Sequence, residues 1–223
     1  MTFRQIYARA ADRKGEQALI ASLPKVKSNQ ALIKTTDDFY FSEMTKCVFR
    51  SGFVWKIVEH KWSNFETAFV GFNPKAVANF SDERLDALAQ DASIIRHMTK
   101  IFATRENAMF ILDTISEHRS FGRFLAGWPE DDIVGLLLYL KKHGSRLGGH
   151  TGQYFLRFVG KDTFIFSKDV VTVLVAEGIV DKEPTSQRGL RAVQEAFNNW
   201  KDETGLPYSH LSRIMAASVG ASI

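Results

Sequence analysis

Residues 140–154, LKKHGSRLGGHTGQY, restrict how this chain folds more than any other stretch of similar length. A lysine-rich helix end runs into a segment with glycine at 144, 148, 149 and 152, and a second helix begins at once. Glycine permits positive φ and close approach of backbones, so the two helices are expected to meet in a tight hairpin. The second helix then turns its unpaired N–H groups and the positive end of its dipole outward. Such an end holds an anion, for example a phosphate, without help from side chains. Two readings stay open at this point. One is an ordinary helix–loop–helix connection. The other is a helix-hairpin-helix, which grips a nucleic-acid backbone through main-chain amides at Gly148, Gly149, His150, Thr151 and Gly152. Lys141, Lys142 and Arg146 flank the turn, either as phosphate contacts or as solvated surface charge.

The rest of the chain supports an all-α protein. With 223 residues, 45% of them hydrophobic and 24% charged, it has the profile of a soluble globular protein with ample core, expected as a single domain over residues 1–223. A formal charge of +4 is compatible with nucleic acid as a partner but does not single it out. The lone cysteine, Cys47, excludes an intramolecular disulfide and a multi-cysteine zinc site. The first fifteen residues lack the apolar core of a secretory signal, and no apolar run reaches membrane-spanning length, so a cytoplasmic protein is expected.

Helical periodicity recurs along most of the sequence. Thr36, Asp37 and Asp38 offer a cap and early acids for a helix reaching about Arg50. Helices are further expected from residue 54, from 64, from Pro74 behind an Asn73 cap, over 81–91, 95–117, 131–143, 153–159, 168–177, 186–204 and 209–218. Residues 131–143 are apolar almost all round, which suggests a central, buried helix. Only Phe164-Ile165-Phe166 has strand character, and three residues pair too little to matter. The expected product is two helical lobes around a cleft near the hairpin.

Two further segments carry a resemblance. Residues 52–78, GFVWKIVEHKWSNFETAFVGFNPKAVA, and residues 91–108, DASIIRHMTKIFATRENA, together with the hairpin segment, resemble the bacterial 3-methyladenine DNA glycosylase I family, a branch of the helix-hairpin-helix glycosylases. The likeness rests on Gly52 with Trp55, the spacing of Phe65, Phe69 and Phe72 before Asn73-Pro74, Asp91 with Ile94-Ile95-Arg96-His97, Lys100-Ile101 and Asn107-Ala108. It implies a monomeric enzyme of base-excision repair that binds damaged double-stranded DNA, swings an alkylated purine out of the helix and hydrolyses its N-glycosidic bond, without a cofactor. An alkylated purine is cationic and favours an aromatic face, and Trp55 matches the family's pocket tryptophan; core packing is the bland alternative for it.

The chain also departs from the family. The cysteine–histidine pairs that hold zinc in the family are missing, so no metal is expected and the termini should be held by packing through Phe197, Trp200 and Tyr208. Counting back from Gly52 without a gap, Cys47 occupies the place of the family's purine-recognising glutamate. A thiol is a poor substitute for a carboxylate. Glu43 lies one helical turn earlier and is a candidate catalytic carboxylate in the glutamate's stead, or else a solvated helix acid. Arg50, three residues later on nearly the same face, joins Cys47, Phe39 and Tyr40 as candidate pocket residues, with core packing the alternative for the last three. Asp169, early in the helix after the hairpin, is the candidate acid for stabilising the developing sugar cation, or else a favourable first-turn charge. Two alternatives accompany this reading: a DNA-binding relative that has lost catalysis with the glutamate, and a glycosylase of altered lesion preference.

Overall fold

The computed structural model describes residues 2–219, which form fifteen α-helices joined by turns and loops, with no strand among them. In chain order these are α1 (Phe3–Lys14), α2 (Glu16–Ala21), α3 (Asn29–Lys34), α4 (Asp37–Arg50), α5 (Trp55–His60), α6 (Trp62–Ala68), α7 (Pro74–Ala78), α8 (Asp82–Gln90), α9 (Met98–His118), α10 (Phe121–Gly127), α11 (Ile133–His143), α12 (His150–Val159), α13 (Lys168–Ala176), α14 (Gln187–Thr204) and α15 (Tyr208–Val219). Among the described residues no helix is long and apolar enough to cross a membrane. The chain divides into two compact units, one of residues 28–128 and 137–159, the other of the remaining stretches 1–27, 129–136 and 160–223.

In the larger unit α4 is the central element. It starts where Thr36 leaves helical geometry, and its inner face buries Tyr40, Phe41, Met44, Val48 and Phe49 against α9, α10 and α12. Asp37 does more than begin α4: its carboxylate accepts the backbone N–H of Phe121 at 2.8 Å, the first residue of α10. Where α10 crosses α3 the backbones nearly touch, because a Cβ on Gly122 would lie 2.3 Å from the carbonyl oxygen of Leu32. The Tyr40 hydroxyl donates to that same carbonyl at 2.7 Å.

The aromatic run 62–72 forms a ladder. Trp62 stacks on Phe65 at 5.0 Å and Phe65 on Phe69 at 6.1 Å, a 3–4 spacing along one face of α6 and its end, and Phe72, beyond the helix, stacks on Phe69 at 5.7 Å. Val70, Gly71 and Phe72 all take positive φ (52°, 61° and 55°), which ends α6 and turns the chain toward α7. Two of these are not glycine, at a cost of roughly 1–2 kcal/mol each, which burial of the ladder offsets.

In the smaller unit α1 lies on α15, and Phe3 meets Trp200 at 5.8 Å. Phe164 stacks on Phe197 at 4.4 Å, with Tyr208 edge-on to both. The expected packing of the termini through Phe197, Trp200 and Tyr208 is therefore present. A polar tie supplements it: the Glu203 carboxylate accepts the N–H of Phe3 at 3.0 and 3.1 Å, capping α1 where Thr2 makes no side-chain cap. Residues 164–166 are buried and form neither helix nor strand.

Most expected helices appear within two residues of their expected ends, and α9 is an exception. It begins at Met98, not near 95, because Ile94 and Ile95 are buried in a non-helical segment that follows a turn at 92–93. The Lys61 ammonium holds that segment through the carbonyls of Ala92 (2.7 Å) and Ser93 (3.1 Å). The helix over 131–143 begins at Ile133, and Leu138 is 39% exposed, so its apolar surface is not buried all round.

Candidate functional site

The hairpin joins α11 to α12 through residues 144–149. Of its glycines only Gly149 uses positive φ (57°); the other residue in that region is Arg146 (60°). Gly144 and Gly152 serve close approach instead. A Cβ at Gly152 would sit 2.5 Å from the carbonyl oxygen of Leu147, and one at Gly144 would sit 2.4 Å from the Leu147 side chain. Leu147 fills the inside of the turn and is buried. Asn107 of α9, also buried, anchors the turn from below: its side chain donates to the Ser145 carbonyl at 3.0 Å and accepts the Ser145 N–H at 2.7 Å. Gly149 and His150, at the start of α12, face solvent, as do Lys141, Lys142 and Arg146.

Within the same unit, Trp55 is tied to the second helix of this hairpin. It opens α5 behind a four-residue loop and stays 43% exposed. Its ring meets Tyr154 at 5.1 Å and Phe158 at 5.8 Å, both edge to face. Tyr154 and Phe158, one turn apart on α12, stack at 5.8 Å. The Arg50 guanidinium lies 4.5 Å from the centre of the Phe158 ring and 5.4 Å from that of Trp55. It pairs with Glu59 through Nε at 3.1 Å and through a terminal nitrogen, and stands 4.0 Å from Glu43. Lys46 pairs with Glu43 at 3.3 Å and Glu59 at 3.7 Å. Two cations and two carboxylates thus balance beside the aromatic group.

Cys47 is buried behind this cluster. Burial pushes its thiol up to about 12, although the neighbouring Arg50 works in the opposite direction. At pH 8 only about one such thiol in ten thousand is ionised. Native protein should therefore resist iodoacetamide at pH 8 and react fully once unfolded; mass spectrometry showing native alkylation at the rate of a free thiol would mean that Cys47 opens to solvent.

The remaining candidates are distributed as follows. Phe39 and Tyr40 lie in the first turn of α4, about 16 Å along the helix axis from Arg50. Phe39 is exposed; Tyr40 is fully buried, its hydroxyl raised to about 12 chiefly by desolvation. Asp169 sits in the first turn of α13, in the smaller unit, behind a Ser167 cap that accepts the Val170 N–H. Tyr154, Phe158 and Glu59 complete the Trp55 cluster without having been singled out for it from the sequence. The i, i+4 aromatic pair of α12 was the available signal.

An all-helical chain with a glycine hairpin bound to an exposed tryptophan has the fold of the helical DNA glycosylases. The 8-oxoguanine DNA glycosylase of Methanocaldococcus jannaschii shares that fold, with a TM-score of 0.56 over 94% of this chain and 89% of that one, at 14% identity. Within this class the chain is similar to the methyladenine glycosylase family, whose sequence profile matches residues 31–135, just under half its length. DNA-3-methyladenine glycosylase 1 of Escherichia coli (strain K12) is 36% identical over 76 residues, which are 34% of this chain. The chain spans only 41% of the length of that curated relative. The 3-methyladenine DNA glycosylase I of Staphylococcus aureus superposes with a TM-score of 0.50 at 25% identity, over 56% of this chain and 77% of that one. The matched stretch contains Cys47, Trp55 and residues 91–108; the hairpin lies beyond it.

Proposed function

We propose that this chain is a DNA glycosylase of base-excision repair that hydrolyses the N-glycosidic bond of alkylated, 3-methyladenine-like purines. The observation that carries this reading is the attachment of the exposed Trp55 to α12, the second helix of the hairpin, through Tyr154 and Phe158. A grip on the backbone and a surface for a base then belong to one rigidly packed group. The hairpin acts as a helix-hairpin-helix: the start of α12 takes a DNA phosphate, with Lys141, Lys142 and Arg146 as flanking charges. The lesion is rotated out of the duplex and stacks on Trp55.

The chemistry asks little of the protein. When the bond between C1′ and the base nitrogen breaks, its electron pair moves onto the base and cancels the charge left by alkylation. No proton has to be delivered to the leaving group; water adds its hydroxyl to the C1′ cation and gives up its remaining proton to solvent. Cys47, buried and neutral, supplies no anion for the base, and Glu43 is already paired with Lys46 and Arg50. Recognition accordingly rests on stacking and shape. In this reading the enzyme works as a monomer on double-stranded DNA in the cytoplasm and needs no metal.

The test is incubation with methylated duplex DNA, followed by chromatography of released bases and a count of abasic sites. Release of 3-methyladenine with a matching number of abasic sites is expected. Binding of the duplex without release would reduce the chain to a DNA-binding relative, and neither would end the proposal.

A further inference from the structure

Lys100, in the first turn of α9, is only 2% exposed, and its contacts are carbonyl oxygens and aromatic rings. Its ammonium donates to the carbonyl of Ser51 and, at 3.4 Å, to that of Phe49. It lies 4.6 Å from the centre of the Phe53 ring and 5.8 Å from that of Phe49. Desolvation, helped by the positive charge of Arg146, lowers its pKa to about 8. A buried ammonium is expensive, and a methionine of similar length would fill this space without that cost.

What Lys100 touches gives that cost a purpose. All four contacts fall on the last turn of α4 and on the loop leading to Trp55. That loop has little to hold itself. Its hydrogen bonds from Ser51 N to Cys47 O (3.3 Å) and from Phe53 N to Arg50 O (3.4 Å) are long. Gly52, at φ 79°, has no atom within 4 Å of where a Cβ would stand, so neither conformation nor packing restrains it.

We propose that Lys100 is a positioning residue: by donating to the Phe49 and Ser51 carbonyls it fixes the loop 51–54 and thereby the pose of Trp55 against Tyr154 and Phe158. Its value for catalysis rests on the reading of Trp55 as the stacking surface; its hold on the loop does not.

Lys100→Met keeps the apolar stem and removes the donors. Three measurements test it: the Trp55 indole N–H resonance (assigned by its disappearance in Trp55→Phe), kcat for base release at saturating substrate, and affinity for undamaged duplex. The resonance should shift or broaden, kcat should fall at least tenfold, and duplex affinity should stay within twofold, because the hairpin is untouched. Melting temperature should change little, because loss of the desolvated charge is offset by two carbonyls left without a donor. Lys100→Gln, which keeps an N–H donor without the charge, should restore the resonance in part, and is read in the same way if the methionine variant does not fold. An unmoved resonance, or a moved resonance with full kcat, overturns the proposal. If the wild type itself releases no base, the glycosylase reading fails, while the resonance still tests whether Lys100 holds the loop.

Discussion

Trp55→Ala is expected to cut the release of alkylated bases at least tenfold while leaving the protein folded. Stacking of a base on an aromatic side chain is worth about 1–3 kcal/mol by alanine substitution, and tenfold in rate corresponds to about 1.4 kcal/mol. The loss should be selective, because Trp55 is half in solvent and contributes little core. Its edge contacts with Tyr154 and Phe158 are worth about 0.5–1.5 kcal/mol each at most, so a fall in melting temperature of only a few degrees accompanies it. Trp55→Phe should keep part of the activity. Single-turnover release and duplex binding separate the effects: release falls and binding to undamaged DNA barely changes. Full turnover in Trp55→Ala would remove the stacking role and leave the site without a base-holding surface.

The second large effect belongs to Gly152→Ala. The added methyl would stand 2.5 Å from the carbonyl oxygen of Leu147, a backbone atom in the turn itself. No side chain can swing aside to relieve that contact, so the turn must open. Overpacking of this kind costs about 1–3 kcal/mol, and the distorted turn no longer presents the start of α12 to a phosphate. Duplex affinity in low salt should drop at least tenfold. Gly149→Ala provides the contrast. Nothing lies within 4 Å of its would-be Cβ, and the penalty is only the left-handed φ of 57°, about 1–2 kcal/mol. If Gly149→Ala weakened binding more than Gly152→Ala, the turn would be working through conformation at 149 and not through close packing at 152.

Local chemistry was legible in the sequence and long-range geometry was not. Asn73 is visible as a helix cap and accepts the Ala76 N–H, whereas Thr36, which offers the same chemistry ahead of α4, makes no side-chain bond there. Helix α10 went unread because FGRFLAG carries two glycines and too few turns to show periodicity; what stabilises it is Asp37 and the approach to Leu32, both distant in the chain. The hairpin shows the same division. Four glycines announce a tight turn, but nothing in their spelling says that one serves for φ and two for contact. Cys47 could be counted into the glutamate's place, yet its burial depends on the folded surroundings of α4. Lys100 belongs to the family-like stretch 91–108, but its burial against the end of α4 follows only from the way α9 packs.

The tie between Phe3 and Glu203 spans 200 residues, whereas the larger unit is complete at residue 159. During synthesis the hairpin and Trp55 therefore leave the ribosome, and are free to assemble, while α1 still waits for the α14–α15 segment that will receive it. Folding in that order, usual for units completed early in the chain, gives the unit that carries the hairpin and Trp55 its shape before α1 has met α14 and α15.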